Sequence, residues 1–487
     1  MGQKTKRVFA FTYLFFTVFL TGCKSLYQAN RHQHSPWFQS VAKQEFNADP
    51  KAKHSASTSS WYRAFNAPQL NRLIEHGLSE NLDIAQTLNR LEQSRLRVDV
   101  SHANHYPTLD GYLSTESRRD NRDTVSGWND SRSAGLNLSW EIDLFKRIKY
   151  QTSASLAQFK ASLTDLSATQ LLISGQIAQL YFDILEHQAL VNLIEGQITT
   201  NEQFLELTQL RKATGQGSIL DVQQQAQQLL NTQSQLPEVK RNLSQLRRSL
   251  NIVLGSTPLE DHDLVKGLQT NRALPQAPKA LSLPTPKQLL TRLPDLKAAY
   301  IRLSLFDLEA ATAAANRLPT LSLKGGYART RTDTLNSITG ALTSFSLNLT
   351  QPLLNAGRLK RTQKIKEAEY QEAIDAFKLT YLNTLSEVEH AMENTVFRTD
   401  RLANTQKRLE LAQKNVAEAK FQYANGLTDY LNVLVSLTTL QPLEVQYLQD
   451  QGQLLDAYVQ LRLATGGPIA PVTHADQALN ETKPASL

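Results

Sequence analysis

Leu136-Asn137-Leu138-Ser139-Trp140-Glu141-Ile142-Asp143 sets an apolar side chain at every second position and a polar one between. Successive side chains of an extended chain point to opposite sides, so this octet is a strand with one greasy and one polar face. A second stretch repeats the pattern, with Phe345, Leu347 and Leu349 alternating with Ser344, Ser346, Asn348 and Thr350. Partner strands precede them: Thr108 to Glu116, with Leu109 and Leu113 on the apolar side, and Thr320 to Arg329, with Leu321 and Leu323. A tilted strand crossing a bilayer needs about 9 to 11 residues, the length of each of these. Half-buried strands of a soluble sheet share the pattern. Against that alternative stand two strongly hydrophilic stretches, Arg118-Arg119-Asp120-Asn121-Arg122-Asp123 and Arg329-Thr330-Arg331-Thr332-Asp333. They read as hairpin loops on the outside of a barrel.

No stretch of about 18 apolar residues follows the N-terminal region, so whatever crosses a membrane is a closed barrel. Four strands cannot close one around a channel, because an open edge in lipid leaves backbone groups unpaired. The barrel must be shared, by two chains or by three. Since about eight strands leave an interior filled by side chains, the larger assembly of 12 strands, a homotrimer, is the one with a passage.

The chain repeats itself once. Asn104-His105-Tyr106-Pro107-Thr108-Leu109 matches Asn316-Arg317-Leu318-Pro319-Thr320-Leu321 at an offset of 212, and Gly215 with Asp221-Val222 matches Gly426 with Asn432-Val433 at 211. Arg147 and Lys149 match Arg358 and Lys360 in the same way. A near-constant offset means one structural unit used twice. The expected organisation is a first repeat over 61–254, a linker over 255–286, a second repeat over 287–465 and a tail over 466–487. The linker carries Pro258, Pro275, Pro278, Pro284 and Pro286, which preclude continuous helix or central strand.

Each half reads helix, strand pair, very long helix, turn, helix. Tyr150 to Thr214 and Arg358 to Ala424 contain no proline and no cluster of turn residues. As helices they span about 95 to 100 Å, a length suited to coiled coils. Heptads support this: Leu229, Leu236, Leu243 and Leu250 recur with Thr232, Val239, Leu246 and Val253, and Leu402, Leu409 and Val416 with Thr405, Ala412 and Ala419. Pro237 and Pro442 predict local kinks. Gln223, Gln224, Gln225, Gln227 and Gln228 are expected to face away from the seam.

The N-terminus reads as a secretory signal over 1–22. Lys4, Lys6 and Arg7 precede an apolar run from Val8 to Leu20, too short for a mature transmembrane helix. Leu20-Thr21-Gly22-Cys23 resembles a bacterial lipobox, which makes Cys23, the single cysteine, the expected lipidation site. By the same resemblance, Lys24 favours the outer membrane. Residues 23–60 form a polar tether.

Loss of Lys4, Lys6 and Arg7 lowers the formal charge from +7 to +4, and the remaining charges alternate in sign, so no basic patch for nucleic acid is expected. No H-E-x-x-H, P-loop, dinucleotide fingerprint or G-x-S-x-G occurs, and the expectation is a protein without catalysis or cofactor. His32, His34, His102 and His105 are too scattered to suggest a metal site.

Five motifs, in order, carry a resemblance covering about 400 residues. They are Trp61-Tyr62-Arg63-Ala64-Phe65-Asn66-Ala67-Pro68-Gln69-Leu70, Trp140-Glu141-Ile142-Asp143-Leu144-Phe145, Arg292-Leu293-Pro294-Asp295-Leu296, Gln351-Pro352-Leu353-Leu354-Asn355-Ala356-Gly357-Arg358, and Tyr423-Ala424-Asn425-Gly426-Leu427-Thr428-Asp429-Tyr430 running on to Leu434. The chain resembles the outer-membrane efflux protein family, in particular the lipid-anchored outer-membrane factors of tripartite multidrug efflux systems. The resemblance implies an α+β membrane duct, in which four strands per chain join a shared 12-strand trimeric barrel. That barrel is continued by a long α-helical periplasmic tunnel with an equatorial region. It implies as partners a periplasmic adaptor (membrane fusion) protein, an inner-membrane efflux pump and outer-membrane lipid. A protein-secreting duct of the same architecture and a structural coiled-coil envelope lipoprotein are the alternatives. Two departures, Lys146 where the family usually has Gly and Leu354 for a common Phe, put the local turn geometry there in question, and Gly357 is expected to supply a permissive backbone.

The two turns between long and short helices are the expected functional sites. Gly215 and Gly426 should end helices, and Ser218 and Thr428 should cap the next ones. With the barrel outermost, these turns form the deep periplasmic tip, and the resemblance makes Gly215, Gly217, Gly426 and Leu427 adaptor-contact candidates. Asp221 and Asp429 either stabilise helix N-termini or form an acidic ring that narrows the closed pore. Glu141 and Asp143 should line the barrel or its exit.

Overall fold

The computed structural model describes residues 60–122, 125–269, 273–278, 284–333 and 338–468. Cys23, the signal, most of the tether and most of the tail lie outside them. After a short 3-10 turn, Trp61–Phe65, come α1 (Pro68–Glu80) and α2 (Leu82–Ala103), then β1 (Thr108–Arg122) and β2 (Val125–Ile142). The long α3 (Arg147–Ala213) and α4 (Ile219–Val253) follow, then a one-turn α5 (Asp263–Lys266). The series recurs as α6 (Pro286–Arg292), α7 (Pro294–Ala315), β3 (Thr320–Asp333), β4 (Ile338–Thr350), α8 (Arg358–Ala424) and α9 (Tyr430–Ala464). The repetition extends to length: α3 and α8 each have 67 residues, α4 and α9 each 35, α2 and α7 each 22. At 1.5 Å per residue the 67-residue helices are about 100 Å long.

Contacts group the described chain into two compact units, one of Leu91–Ser162 with Ala298–Leu379, the other of the described parts of Gln39–Arg90, Leu163–Lys297 and Thr380–Leu487. Both units draw on both repeats.

The first unit holds a single antiparallel sheet in the order β1-β2-β3-β4. In register, Leu109 faces Leu138, Trp140 faces Leu323, and Leu323 faces Leu347, so one face collects apolar residues from all four strands, while Tyr112 and Leu342 lie on the other. The opposite face collects Asp110 with Asn137, Glu141 with Ser322, and Ser322 with Asn348. The strands are longer than their apolar patterns suggest. Arg118 to Arg122 are not a loop but pair with Val125 to Asn129, and Arg329 to Thr332 pair with both β2 and β4. A ladder of backbone hydrogen bonds does not depend on side-chain polarity, so pairing continues beyond the apolar band into hydrophilic strand ends.

Where β2 passes into α3, Asp143 accepts from the backbone N–H groups of Ile148 (3.1 Å) and Lys149 (2.8 Å), and Arg147 grips Glu141 with two bonds of 2.9 and 2.8 Å. Asp143 thus lies just past the strand and serves the helix start, while Glu141 lies on the polar face of the sheet. Lys146 takes a left-handed φ of 62°, and Gly357, its counterpart at the second strand-to-helix turn, a φ of 76°. The family's glycine is therefore absent where the backbone still asks for it.

The second unit is helical. Trp61 is buried, donates Nε1 to Ser174 Oγ at 3.1 Å and its backbone N–H to Pro468 O at 2.9 Å, and packs edge-on against Tyr62 and Phe65. The α4 seam is sequestered as its heptads predict: Thr232, Leu250 and Val253 are buried and the other seam members half-buried. In α8, Thr405, Ala412, Val416 and Ala419 are buried. The helix α4 continues through Pro237 and α9 through Pro442. Gln225 contradicts its expected outward orientation. It is fully buried, because its amide finds both a donor and an acceptor inside the bundle.

A left-handed conformation costs a β-carbon about 1 to 2 kcal/mol. Lys146→Gly should therefore raise, or at worst leave unchanged, the melting temperature of the purified protein, whereas Gly357→Ala should lower stability by about 1 kcal/mol. Equal destabilisation by both in thermal unfolding followed by circular dichroism would refute the assignment of strain to Lys146.

Candidate functional site

Both long helices end in the same way. At the first turn Gly215 has φ 73°, its N–H reaches Lys212 O at 3.0 Å, and Gln216 N–H reaches Arg211 O at 2.8 Å. At the second, Gly426 has φ 70°, bonds Tyr423 O at 3.1 Å, and Leu427 N–H bonds Gln422 O at 2.9 Å. These paired bonds satisfy the last carbonyls of each helix and need a left-handed residue, which glycine supplies without cost. Gly217 is tight for a different reason: a β-carbon there would lie 3.1 Å from Lys212 N.

The following helices start differently. Ser218 caps α4 by accepting from Leu220 N–H at 3.0 Å, and Asp221 accepts from Ser218 N–H at 3.0 Å, a reciprocal capping box. In α9 the capping position belongs to Asp429, which makes no side-chain capping bond, and not to Thr428, whose hydroxyl accepts from the Asn432 amide. Asp221 is half-buried and Asp429 exposed. Leu427 is 72% exposed, and Ile219, Leu220, Phe421 and Leu431 also present apolar surface to solvent around the turns.

Just behind the turns the two hairpins are clamped together. Arg211 on α3 donates to Tyr423 O at 2.7 Å, and its guanidinium lies 4.4 Å from the centre of the Tyr423 ring. Tyr423 meets Tyr430 edge-on at 5.5 Å. The Tyr430 hydroxyl donates to Gln225 Oε1, while Gln225 Nε2 donates to Asn201 O at 2.8 Å. Asn201 bonds Thr232 at 2.9 Å and receives a bond from Gln441 at 3.1 Å, and Gln441 Oε1 accepts from Gln228 at 2.9 Å. Phe204, Val416, Ala419, Val433 and Leu437 close an apolar core beside this polar ladder. Burial, then the neighbouring Tyr423 and the negative charge of Asp221, hold Tyr430 protonated well above the usual phenol range. Burial also raises Tyr423, partly offset by Arg211 and reinforced by Asp221. Asp221 therefore sits within electrostatic reach of both rings.

Sequence reasoning brought out the turn glycines and the two acids but missed Arg211, Tyr423, Tyr430 and Gln225. The available signal was the tyrosine pair seven residues apart on either side of the second turn. Among the described residues no group of three His, Cys, Asp or Glu is placed to hold a metal ion, and no described helix is long and apolar enough to cross a membrane.

The same unit half-buries three acids close to one another. Glu186 is pushed up to about 8 by burial and by the charges of Asp183 and Asp456. Asp456 is pushed up to about 7 by burial and Asp183, against the pull of Arg398. Asp183 is raised too, by burial, with His187 opposing.

Compared with known proteins, the chain matches the model of the outer membrane efflux protein family over residues 73–256 and 285–467. A probable outer membrane lipoprotein, SilC, of Salmonella typhimurium is 24% identical over 425 residues, which are 86% of this chain and 90% of that protein. The pyoverdine export outer membrane protein OpmQ of Pseudomonas putida is 27% identical over 421 residues, 84% of this chain and 87% of its own. Among solved structures, the Campylobacter jejuni CmeC outer membrane channel superimposes with a TM-score of 0.77 at 20% identity, over 90% of this chain and 93% of CmeC. The outer-membrane channel OprN gives 0.77 at 23% identity, over 88% and 99%. The fold is thus that of channels in which each protomer gives four strands to a barrel and long helices to a tunnel.

Tyr430→Phe removes the donor to a buried amide oxygen and should cost about 1 to 3 kcal/mol in chemical denaturation; a change within about 0.5 kcal/mol would show the bond to be dispensable. A second expectation concerns pH. Glu186 keeps its proton in the folded chain at pH values where the unfolded chain, with a carboxyl near the usual 4.5, has lost it. Stability should fall as pH rises from about 4.5 to about 8 and then level off. Glu186→Gln should raise the melting temperature clearly at pH 8.5 and little at pH 5. An equal shift at both would refute a half-buried, protonated Glu186.

Proposed function

The chain belongs to the outer membrane efflux protein family, and from that premise we propose that it is the lipid-anchored exit duct of a tripartite system that expels small organic compounds. It is an outer-membrane channel and not an enzyme. Four strands leave two unpaired edges, and three copies joined edge to edge close a barrel wide enough for passage. The proposed assembly is therefore a homotrimer. Energy comes from an inner-membrane pump, reached through a periplasmic adaptor, and the duct conducts passively.

The observation that carries this function furthest is the combination of four amphipathic, membrane-length strands with two helical hairpins whose turns expose Leu427, Ile219 and Leu220. Exposed apolar side chains on backbone fixed by glycine are suited to docking another helical surface. Gly215, Gly217, Gly426 and Leu427 are the proposed adaptor contacts. Of the two acids, Asp429 is the better placed to project towards a shared axis, because it is exposed and spends no oxygen on capping. Asp221 is committed to its capping box and the tyrosine pair. Its proposed contribution to the closed constriction is electrostatic. Glu141, on the polar face, lines the barrel exit, whereas Asp143 acts through the start of α3. Cys23 is the proposed acylation site, supported by the Leu20-Thr21-Gly22-Cys23 junction and by kinship with a probable lipoprotein.

Gln216 is exposed in the first turn, and Gln216→Cys carrying a photo-activated cross-linker should capture a periplasmic adaptor in intact cells. A correctly inserted trimer that captures no adaptor while the export genes are expressed would refute docking at the turns.

A further inference from the structure

Among the described residues, the sheet carries a cluster of arginines that the channel function does not use. Arg132 of β2 stands directly opposite Arg331 of β3, and Arg329 follows two positions along β3, opposite Ala134. Strand alternation places all three on the face that carries Leu113, Leu136 and Leu138. In a barrel with a polar interior this face meets lipid. Along β2 it is apolar at Ile142, Trp140, Leu138, Leu136 and Ala134, and Arg132 comes next. The rise from Ile142 to Arg132 is about 33 Å along the strand, or about 25 Å across the membrane at a tilt of about 40°. That is the height of the apolar band of an outer-membrane barrel. The strands pass into helices at the Ile142 end, so the arginines mark the opposite, outer edge of the band.

All three arginines are exposed, and with Leu113, Thr115 and Thr339 they line one shallow depression. Like charges directly opposite each other on neighbouring strands repel. A phosphate group at this height offers guanidinium two parallel hydrogen bonds. Asp130, which accepts from Ser117, lies one row farther out on the same face, with Asp333 opposite in register. Beyond them Arg119 is the register partner of Trp128, which is 67% exposed. Trp128 lies about 13 Å along the strand past Arg132, where a saccharide attached to a phosphorylated lipid would stand, and a flat indole is suited to stacking on a sugar ring.

We propose that Arg132, Arg329 and Arg331 of each protomer bind the phosphate groups of a phosphorylated glycolipid of the outer leaflet, with Trp128 against its saccharide. The proposal rests on the reading of the strands as a membrane barrel.

The test uses the full-length trimer in detergent, incubated with bisphosphorylated lipid A or with enzymatically dephosphorylated lipid A, and counts bound lipid by native mass spectrometry. Retention of the phosphorylated form should exceed the other by about tenfold, and the combined variant Arg132→Gln, Arg329→Gln, Arg331→Gln should lose a similar factor. Arg118→Gln, on the opposite face, should change nothing. Equal retention of the two lipids, or displacement of bound lipid by an equal concentration of inorganic phosphate, overturns the proposal. The two-lipid comparison needs no variant, so it decides the matter even if the triple variant does not assemble. Heat-modifiable, detergent-resistant trimer is checked before lipid is added, and its absence would refute the barrel itself, separately from the glycolipid site.

Discussion

A strand at the edge of a sheet inside lipid has no water to satisfy its backbone, and the rest of this molecule is organised around that constraint. β1 and β4 each present one such edge. The apolar face built from Leu109, Leu138, Trp140, Leu323 and Leu347 places those edges in the membrane, so the monomer is an incomplete object whose sheet calls for more strands. The antiparallel pairing of β2 with β3 matters here, since it joins the hairpins of the two repeats into one sheet within the chain. Only the two outer edges remain for neighbours to cover.

The same duplication governs the helices. Each hairpin ends on a glycine-closed turn, and the two hairpins are held together by a contact that neither repeat makes alone. Arg211 comes from the first repeat and Tyr423 from the second, and the Tyr430 hydroxyl of the second reaches Gln225 of the first. The turn ends of the two hairpins are thereby a single clamped body, with its polar ladder sheltered by Phe204, Val433 and Leu437.

The sequence made strand alternation, helix extent, the repeat and the turn glycines legible, because each follows from local periodicity or backbone demand. The heptad seam on α4 was readable for the same reason. Strand ends were not: Arg118 to Arg122 look like a loop by composition, yet pairing there depends on a partner strand that composition does not reveal. Gln225 was misjudged for a related reason. A glutamine is buried only when donors and acceptors from distant segments meet it, here Tyr430 and the Asn201 carbonyl, and a local pattern carries no record of them. Thr428 and Asp429 show the finest scale of this limit, since both are capping residue types and their order alone did not say which takes the cap position.

The equality of paired helix lengths has a consequence for how such a chain can change over generations. Adding one residue to α3 alone would advance its turn by about 1.5 Å and rotate everything beyond the insertion by about 100°. Arg211 would then swing away from Tyr423, and the buried positions of α4 would lose register with α9. An insertion is tolerable only as a whole number of turns, matched in α4 and repeated in α8 and α9. The two halves are free to diverge in almost every side chain, as their sparse identities indicate, but they are coupled in length. Gene duplication left behind a ruler as well as a fold, and drift in sequence has proceeded against that fixed scale.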